Sequence, residues 1–226
     1  MTTVVVCGMP DELRVLTRAL APGTLILSGT DKLSLPKLVP DTCTRLVCMG
    51  VCGGLSPDLV VPDIALATAV IDHAGAGMPT DPEWNKAAIS AASKVGLILH
   101  PVPYYSSGLF DEADTEQQRA AMFKKYGAHA IDDESRFVVA EAVRRGVPFN
   151  VVRPLSDDWS ETLPLSATGA IMNKDGSADI EYLLRTLGQD QGADSVSLFR
   201  VALDYGKSLD ALESLAKTLA TLIGEN

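Results

Sequence analysis

Acidic side chains in short clusters carry most of the possible chemistry in this chain. Glu12 lies in Gly8-Met9-Pro10-Asp11-Glu12, just after a run of β-branched residues. Asp132-Asp133-Glu134 and Arg153-Pro154-Leu155-Ser156-Asp157-Asp158 each follow another short apolar run. A carboxyl group can protonate a leaving group, activate a water, or bind hydroxyls while stabilising a developing positive charge. A fourth stretch, Gly50-Val51-Cys52-Gly53-Gly54, has no carboxylate, but its glycines let a ligand come close to the backbone. Each motif also has a structural reading. Glu12 fits a first-turn carboxylate beside a helix dipole, Asp132 and Asp133 fit helix caps, and Asp157 fits a cap after Ser156. Arg153 fits an ion-pair partner, and Gly53-Gly54 fits a tight turn. Their joint placement argues for a site.

That placement follows from the elements. Thr3 to Cys7 reads as a strand buried on both faces. A helix follows, with Leu13, Leu16, Ala19 and Leu20 as its apolar stripe, ended by Pro22-Gly23. Thr24 to Leu27, Arg45 to Met49, Ile64 to Ile71 and Leu97 to Val102 read as further strands. Asp81-Pro82 opens a helix reaching about Gly96, with Asp as N-cap and Pro at the first position. Thr115 and Gln118 form a capping box for a helix to about Tyr126. Ala128 to Ile131 is a strand, Ser135 to Arg145 a helix stopped by Gly146, and Phe149 to Val152 a strand ending at Arg153. Ser195 to Ile223 reads as an amphipathic helix. Alternating strands and helices predict an α/β single domain, 1–226, with a central mixed, mostly parallel sheet flanked by helices. Ligands in such folds sit beyond the carboxyl ends of the strands, where the four motifs fall.

Composition narrows the ligand. The chain has 226 residues and a formal net charge of -10, which disfavours the phosphate backbone of a nucleic acid polymer. Four cysteines and three histidines show no zinc-like spacing, so buried thiols, no metal and no cofactor are expected. A reducing, cytoplasmic setting and no stable membrane insertion go with that reading. Gly8 stands without a Gly-x-Gly-x-x-Gly pattern, which speaks against a dinucleotide-dependent oxidoreductase.

The run Val4-Val5-Val6-Cys7-Gly8-Met9-Pro10-Asp11-Glu12 resembles the nucleoside phosphorylase and nucleosidase superfamily. So do Val47 to Leu59, Ala130 to Ser135 and Val147 to Asp157. That superfamily includes the 5′-methylthioadenosine/S-adenosylhomocysteine nucleosidases, and the overall form is also similar to hopanoid-associated phosphorylase-like proteins. Order and spacing match from about residue 3 to 158, and the resemblance fades beyond Leu163. The resemblance implies cleavage of the N-glycosidic bond of a purine nucleoside. It implies that Asp157 protonates the base at N7, that Glu134 binds the ribose hydroxyls, and that Glu12 activates water in the hydrolytic branch. Gly53, Val51, Arg153, Ser156 and Asp133 fall at substrate-binding positions, and Phe110 falls where a purine would stack. It also implies a homo-oligomer, either a dimer or a trimer-based assembly.

Three features bear on the reaction. Cys48 and Val51 stand where family phosphorylases carry an Arg and a hydroxyl for phosphate, which favours water as the nucleophile. Against that, Met9 to Arg14 is similar to a phosphorylase loop whose Arg holds phosphate. Asp133 replaces a Met that packs on the ribose. Three functions stay open: a purine nucleoside hydrolase, a phosphorylase of the same fold, and a non-catalytic purine-binding module.

Overall fold

The computed structural model describes residues 2–28, 35–106, 115–161 and 193–224. Nine strands form one sheet: β1 (Thr2–Cys7), β2 (Leu25–Ser28), β3 (Cys43–Met49), β4 (Cys52–Gly54), β5 (Ile64–Ile71), β6 (Gly77–Pro79), β7 (Leu99–Ser106), β8 (Ala130–Asp132) and β9 (Phe149–Asp157). The helices are α1 (Pro10–Ala19), α2 (Leu35–Leu38), α3 (Pro82–Lys94), α4 (Glu116–Tyr126), α5 (Ser135–Arg145) and α6 (Ala193–Gly224). The strand order is β2-β1-β3-β9-β4-β8-β7-β5-β6, with β9 also pairing β5. Only β4–β8, β5–β6 and β5–β9 pair antiparallel, so the sheet is mixed and mostly parallel, as predicted.

The β9–β5 pairing adds something the sequence reading lacked. It joins β9, β4, β8, β7 and β5 into a closed ring, with β3, β1 and β2 continuing from β9. β9 changes partner along its length. Phe149 to Val152 lie beside β3, Val152 to Pro154 face β5, and Leu155 and Asp157 lie beside β4. The strand therefore runs past Arg153, where the sequence reading ended it, and carries both Arg153 and Asp157.

Alternating side chains feed two cores, as the strand period requires. Val4, Val6, Leu46, Cys48 and Val151 pack on one face with Val138 and Ala142 of α5. Val5, Cys7, Val47, Met49 and Val152 pack on the other with Leu16 of α1, Ala88 of α3, and Leu212, Leu215 and Leu219 of α6. A third cluster, of Leu55, Tyr105, Met122 and Ala128, seats α4. Long α6 packs on α1, α3 and β9.

The predicted helix signals act as expected. Thr115 and Gln118 cap α4 reciprocally, and Gly146 ends α5 in the left-handed conformation at φ 67. Asp81 caps α3 by accepting from the Glu83 and Trp84 backbone N–H groups, and also pairs with Arg45 Nη2 at 2.6 Å. Burial acts to raise the Asp81 carboxyl. The bonds from Arg45 and the two backbone amides together outweigh it and hold the group below its usual range. That contribution to stability is fully present above the ordinary Asp range near pH 4 and is lost as pH falls through the lowered folded-state value. Asp81→Ala removes the cap and leaves Arg45 with Asn150 as its remaining side-chain partner. We expect a loss of about 2 kcal/mol in urea unfolding at pH 7. A loss under about 0.5 kcal/mol would show that the cap and pair contribute little.

Candidate active site

Glu12 lies in the first turn of α1, whose N-cap is Met9 and whose first residue is Pro10. A Glu at the third helical position reaches back to the N-cap amide. Here Oε2 accepts from Met9 N at 2.9 Å and from Gly8 N at 2.7 Å. Oε1 crosses to the end of β3 and accepts from Val51 N at 2.7 Å. The carboxylate is 1% exposed. It fills a cradle of three backbone N–H groups at two neighbouring strand ends, the kind of concavity that otherwise takes an anion. Burial is the main influence on Glu12 and raises it above the usual carboxylate range. Arg153 and the backbone bonds oppose that rise, and nearby Glu134 adds to it.

Arg153, 1% exposed, is the hub of the cluster. Its Nη1 donates to Val51 O at 2.7 Å and to Glu134 Oε2 at 3.2 Å, and Nη2 donates to Cys48 Sγ at 3.1 Å. Nε lies 3.0 Å from Asp132 Oδ2, near enough for an ion pair but off the line of a hydrogen bond. One guanidinium thus faces the carboxylates of Asp132 and Glu134 and influences Glu12. Burial raises Asp132 as well, against Arg153 and its Ser135 bonds. Asp132 is held by Ser106 Oγ at 2.9 Å, Ser135 N at 3.0 Å and Ser135 Oγ at 2.5 Å. It therefore acts both as a cap for α5 and as a partner of the hub.

At the end of β9, Asp157 is 7% exposed. Ser156 Oγ lies 2.7 Å from Asp157 Oδ2 and 3.2 Å from Cys52 O, and its single proton serves one of them. Asp157 Oδ1 pairs with Arg119 Nη2 of α4, yet no hydrogen bond is aligned on that oxygen. Asp158 turns away, with Oδ1 accepting from Val61 N at 2.8 Å. Glu161 lies within electrostatic reach of Asp157, and burial and Asp157 together raise it.

Three glycines each face one of these carboxylates. A Cβ on Gly50 would lie 2.7 Å from the Glu12 oxygens, one on Gly8 2.9 Å from the Glu134 carboxyl, and one on Gly53 3.0 Å from Asp157 Oδ1. The absent side chains are what allow charged groups to lie against the strand ends.

The predicted residues largely converge. Glu12, Glu134, Val51, Gly53, Arg153, Ser156 and Asp157 gather at the ends of β1, β3, β4, β8 and β9, and half-buried Asp133 sits beside Glu134. Phe110 lies outside the described residues. Arg14 is exposed and pairs with Asp11. Cys48 is buried at the hub, and burial pushes its thiol up to about 12. Sequence reading missed Arg119, whose only signal was its place in the first turns of a capped helix. It also missed Tyr205 of α6, whose hydroxyl lies 3.6 Å from Met9 Sδ. Burial and the charge of Glu12 raise that phenol. Among the described residues no group of three acidic, His or Cys side chains is placed to hold a metal ion, and no helix is long and apolar enough to cross a membrane.

The family model of the phosphorylase superfamily matches residues 2–187. No curated protein matches the sequence. Among solved structures, the chain is similar to the Helicobacter pylori 5′-methylthioadenosine/S-adenosyl homocysteine nucleosidase. The TM-score is 0.66 at 15% identity, over 100% of this chain and 99% of that one. The Campylobacter jejuni nucleosidase of the same name gives 0.61 at 16% identity, over 95% and 99%. Futalosine hydrolase of Helicobacter pylori gives 0.60 at 15% identity, over 84% and 98%.

Proposed function

Because the chain belongs to the phosphorylase superfamily, we propose that it hydrolyses the N-glycosidic bond of an adenosine-type purine nucleoside, with or without a 5′ substituent. The observation that carries the choice of water over phosphate is the position of Glu12. Its carboxylate already occupies the Gly8, Met9 and Val51 N–H groups. A phosphate entering there would have to displace it and lie near Glu134 as well. The buried cation beside that cradle, Arg153, is taken up by Asp132, Glu134, Cys48 and Val51 O. The structural neighbours named as a nucleosidase and a hydrolase agree with this reading.

Water oxygen bonds to C1′ as the C1′–N9 bond breaks, and the bonding pair leaves with the base. Glu12 accepts the water proton, and a burial-raised carboxylate suits that task near neutral pH. Asp157 delivers a proton to N7, which neutralises the departing base. Glu134, held by Arg153, binds the ribose hydroxyls and faces the cationic sugar. The two carboxyl groups then regain their starting states by exchanging one proton with solvent. The Asp133 carboxylate replaces apolar contact at the sugar with negative charge, which favours a ribose presented through its hydroxyls.

The reading is tested by base release from adenosine, methylthioadenosine, S-adenosylhomocysteine and inosine, with and without phosphate. Release that needs no phosphate is expected. Retained adenine binding with no release from any nucleoside would favour the purine-binding module.

A further inference from the structure

We infer that Arg119 is a positioning residue for departure of the base, acting through Asp157; this rests on the reading of Asp157 as the acid. Arg119 comes from α4, an element that carries none of the other site residues, and is 1% exposed. Its Nη2 pairs with Asp157 Oδ1. Its Nη1 donates to Gly54 O at 3.0 Å and to Asp158 O at 3.1 Å. The guanidinium therefore ties β4 to the chain leaving β9 and fixes the carboxyl between them. A structural tie could end on those two carbonyls. The third contact lands on a carboxylate oxygen that has no aligned hydrogen bond and faces side-chain-free Gly53.

The charge has a chemical consequence. A buried guanidinium beside a carboxyl favours its ionised form. When Asp157 gives its proton to N7, the carboxylate left behind gains its full pairing with Arg119. Transfer is then favoured as negative charge builds on the base. Of the other charged groups nearby, Glu161 and Asp157 act on each other, while Asp204 and Arg200 act on Glu161. Arg119 is the cation in contact with Asp157, so its removal is not made good by these neighbours.

The test compares Arg119→Met, Arg119→Lys and Asp157→Asn on two substrates. One is the best purine nucleoside; the other is 4-nitrophenyl β-D-ribofuranoside, whose leaving group needs no proton. Arg119→Met should lower purine cleavage by about 100-fold in kcat, with a much smaller loss on the nitrophenyl riboside. The ratio of the two rates should change by at least about 30-fold, and Arg119→Lys should recover part of it. Equal losses on both substrates, with Asp157→Asn separating them, would overturn the proposal and leave the hydrolase reading intact. Asp157→Asn that fails to separate them would overturn it as well.

If the wild type releases no base, the hydrolase reading fails and binding decides the inference alone. Wild-type protein should prefer 9-deazaadenine, which carries a hydrogen at N7, over adenine by about tenfold or more. Arg119→Met should lose most of that preference. An unchanged preference, or no binding of either base to the wild type, would contradict the role given to Arg119.

Discussion

Asp157→Asn is expected to lower kcat/KM on an adenosine-type nucleoside by about 10²- to 10⁴-fold, the usual range for removing a general acid. The reason lies in its surroundings. The carboxyl is 7% exposed, bonded by Ser156 and paired with Arg119 across a glycine that leaves it room. Asn keeps the size and one acceptor oxygen but has no acidic proton to give. Its amide oxygen can still accept from the Arg119 guanidinium, as the carbonyl oxygen of the protonated acid does. Stability is expected to fall by no more than about 1 kcal/mol, since the Gly54 and Asp158 carbonyls still hold the guanidinium. Kinetics measured well below the melting midpoint keep the two effects apart. Activity within threefold of wild type in a folded variant would remove Asp157 from the reaction.

Glu12→Gln is expected to have a loss of similar size, about 10²- to 10³-fold in kcat, with a change in pH dependence that Asp157→Asn does not share. A general base works in its ionised form. Glu12 is raised by burial, so the acid side of the kcat/KM profile should fall off above the ordinary Glu range near pH 4.3. Activity is then lost as pH drops through the raised value, and the Gln variant lacks that limb. The amide NH2 would also meet one of the backbone N–H groups that now donate to Glu12, at a cost of about 1–3 kcal/mol. An acid limb that persists unchanged in Glu12→Gln would assign the base elsewhere.

Much of the frame was legible because its signals are local. Asp81-Pro82 announced α3, Thr115 and Gln118 announced α4, and Gly146 closed α5. The buried runs of β1 and β5 could be read from β-branched and small apolar residues. What failed was longer in range or shorter in length. β9 was cut at Arg153 because a charge followed by Pro154 argues against a strand interior. In the fold Arg153 is neutralised by Asp132 and Glu134, and Pro154 lies at the pairing with β5, where β9 changes partner. The ring closed by that pairing leaves no trace in any single segment. β6 and α2, three and four residues long, offered too little periodicity.

The site divides the same way. Glu12, Glu134 and Asp157 stand at strand ends, where the fold rule places ligands. The residues that give them character were hidden. Arg119 reaches Asp157 from a helix whose own pattern says only that it packs on Leu55 and Tyr105 through Met122. Cys48, read as a buried thiol and a missing phosphate ligand, also receives a hydrogen bond from Arg153. Asp132 proved to be both cap and ion-pair partner, although the sequence offered those roles as alternatives for different residues.

The central claim is that water, not phosphate, receives the ribosyl group, because Glu12 occupies the anion cradle. The direct measurement is product analysis after turnover of the best nucleoside in phosphate buffer made with ¹⁸O-labelled water. Free ribosyl product carrying one ¹⁸O at C1′, formed at the same rate with or without phosphate, is the predicted result. Ribosyl 1-phosphate as the product, with no base released when phosphate is withheld, would contradict it.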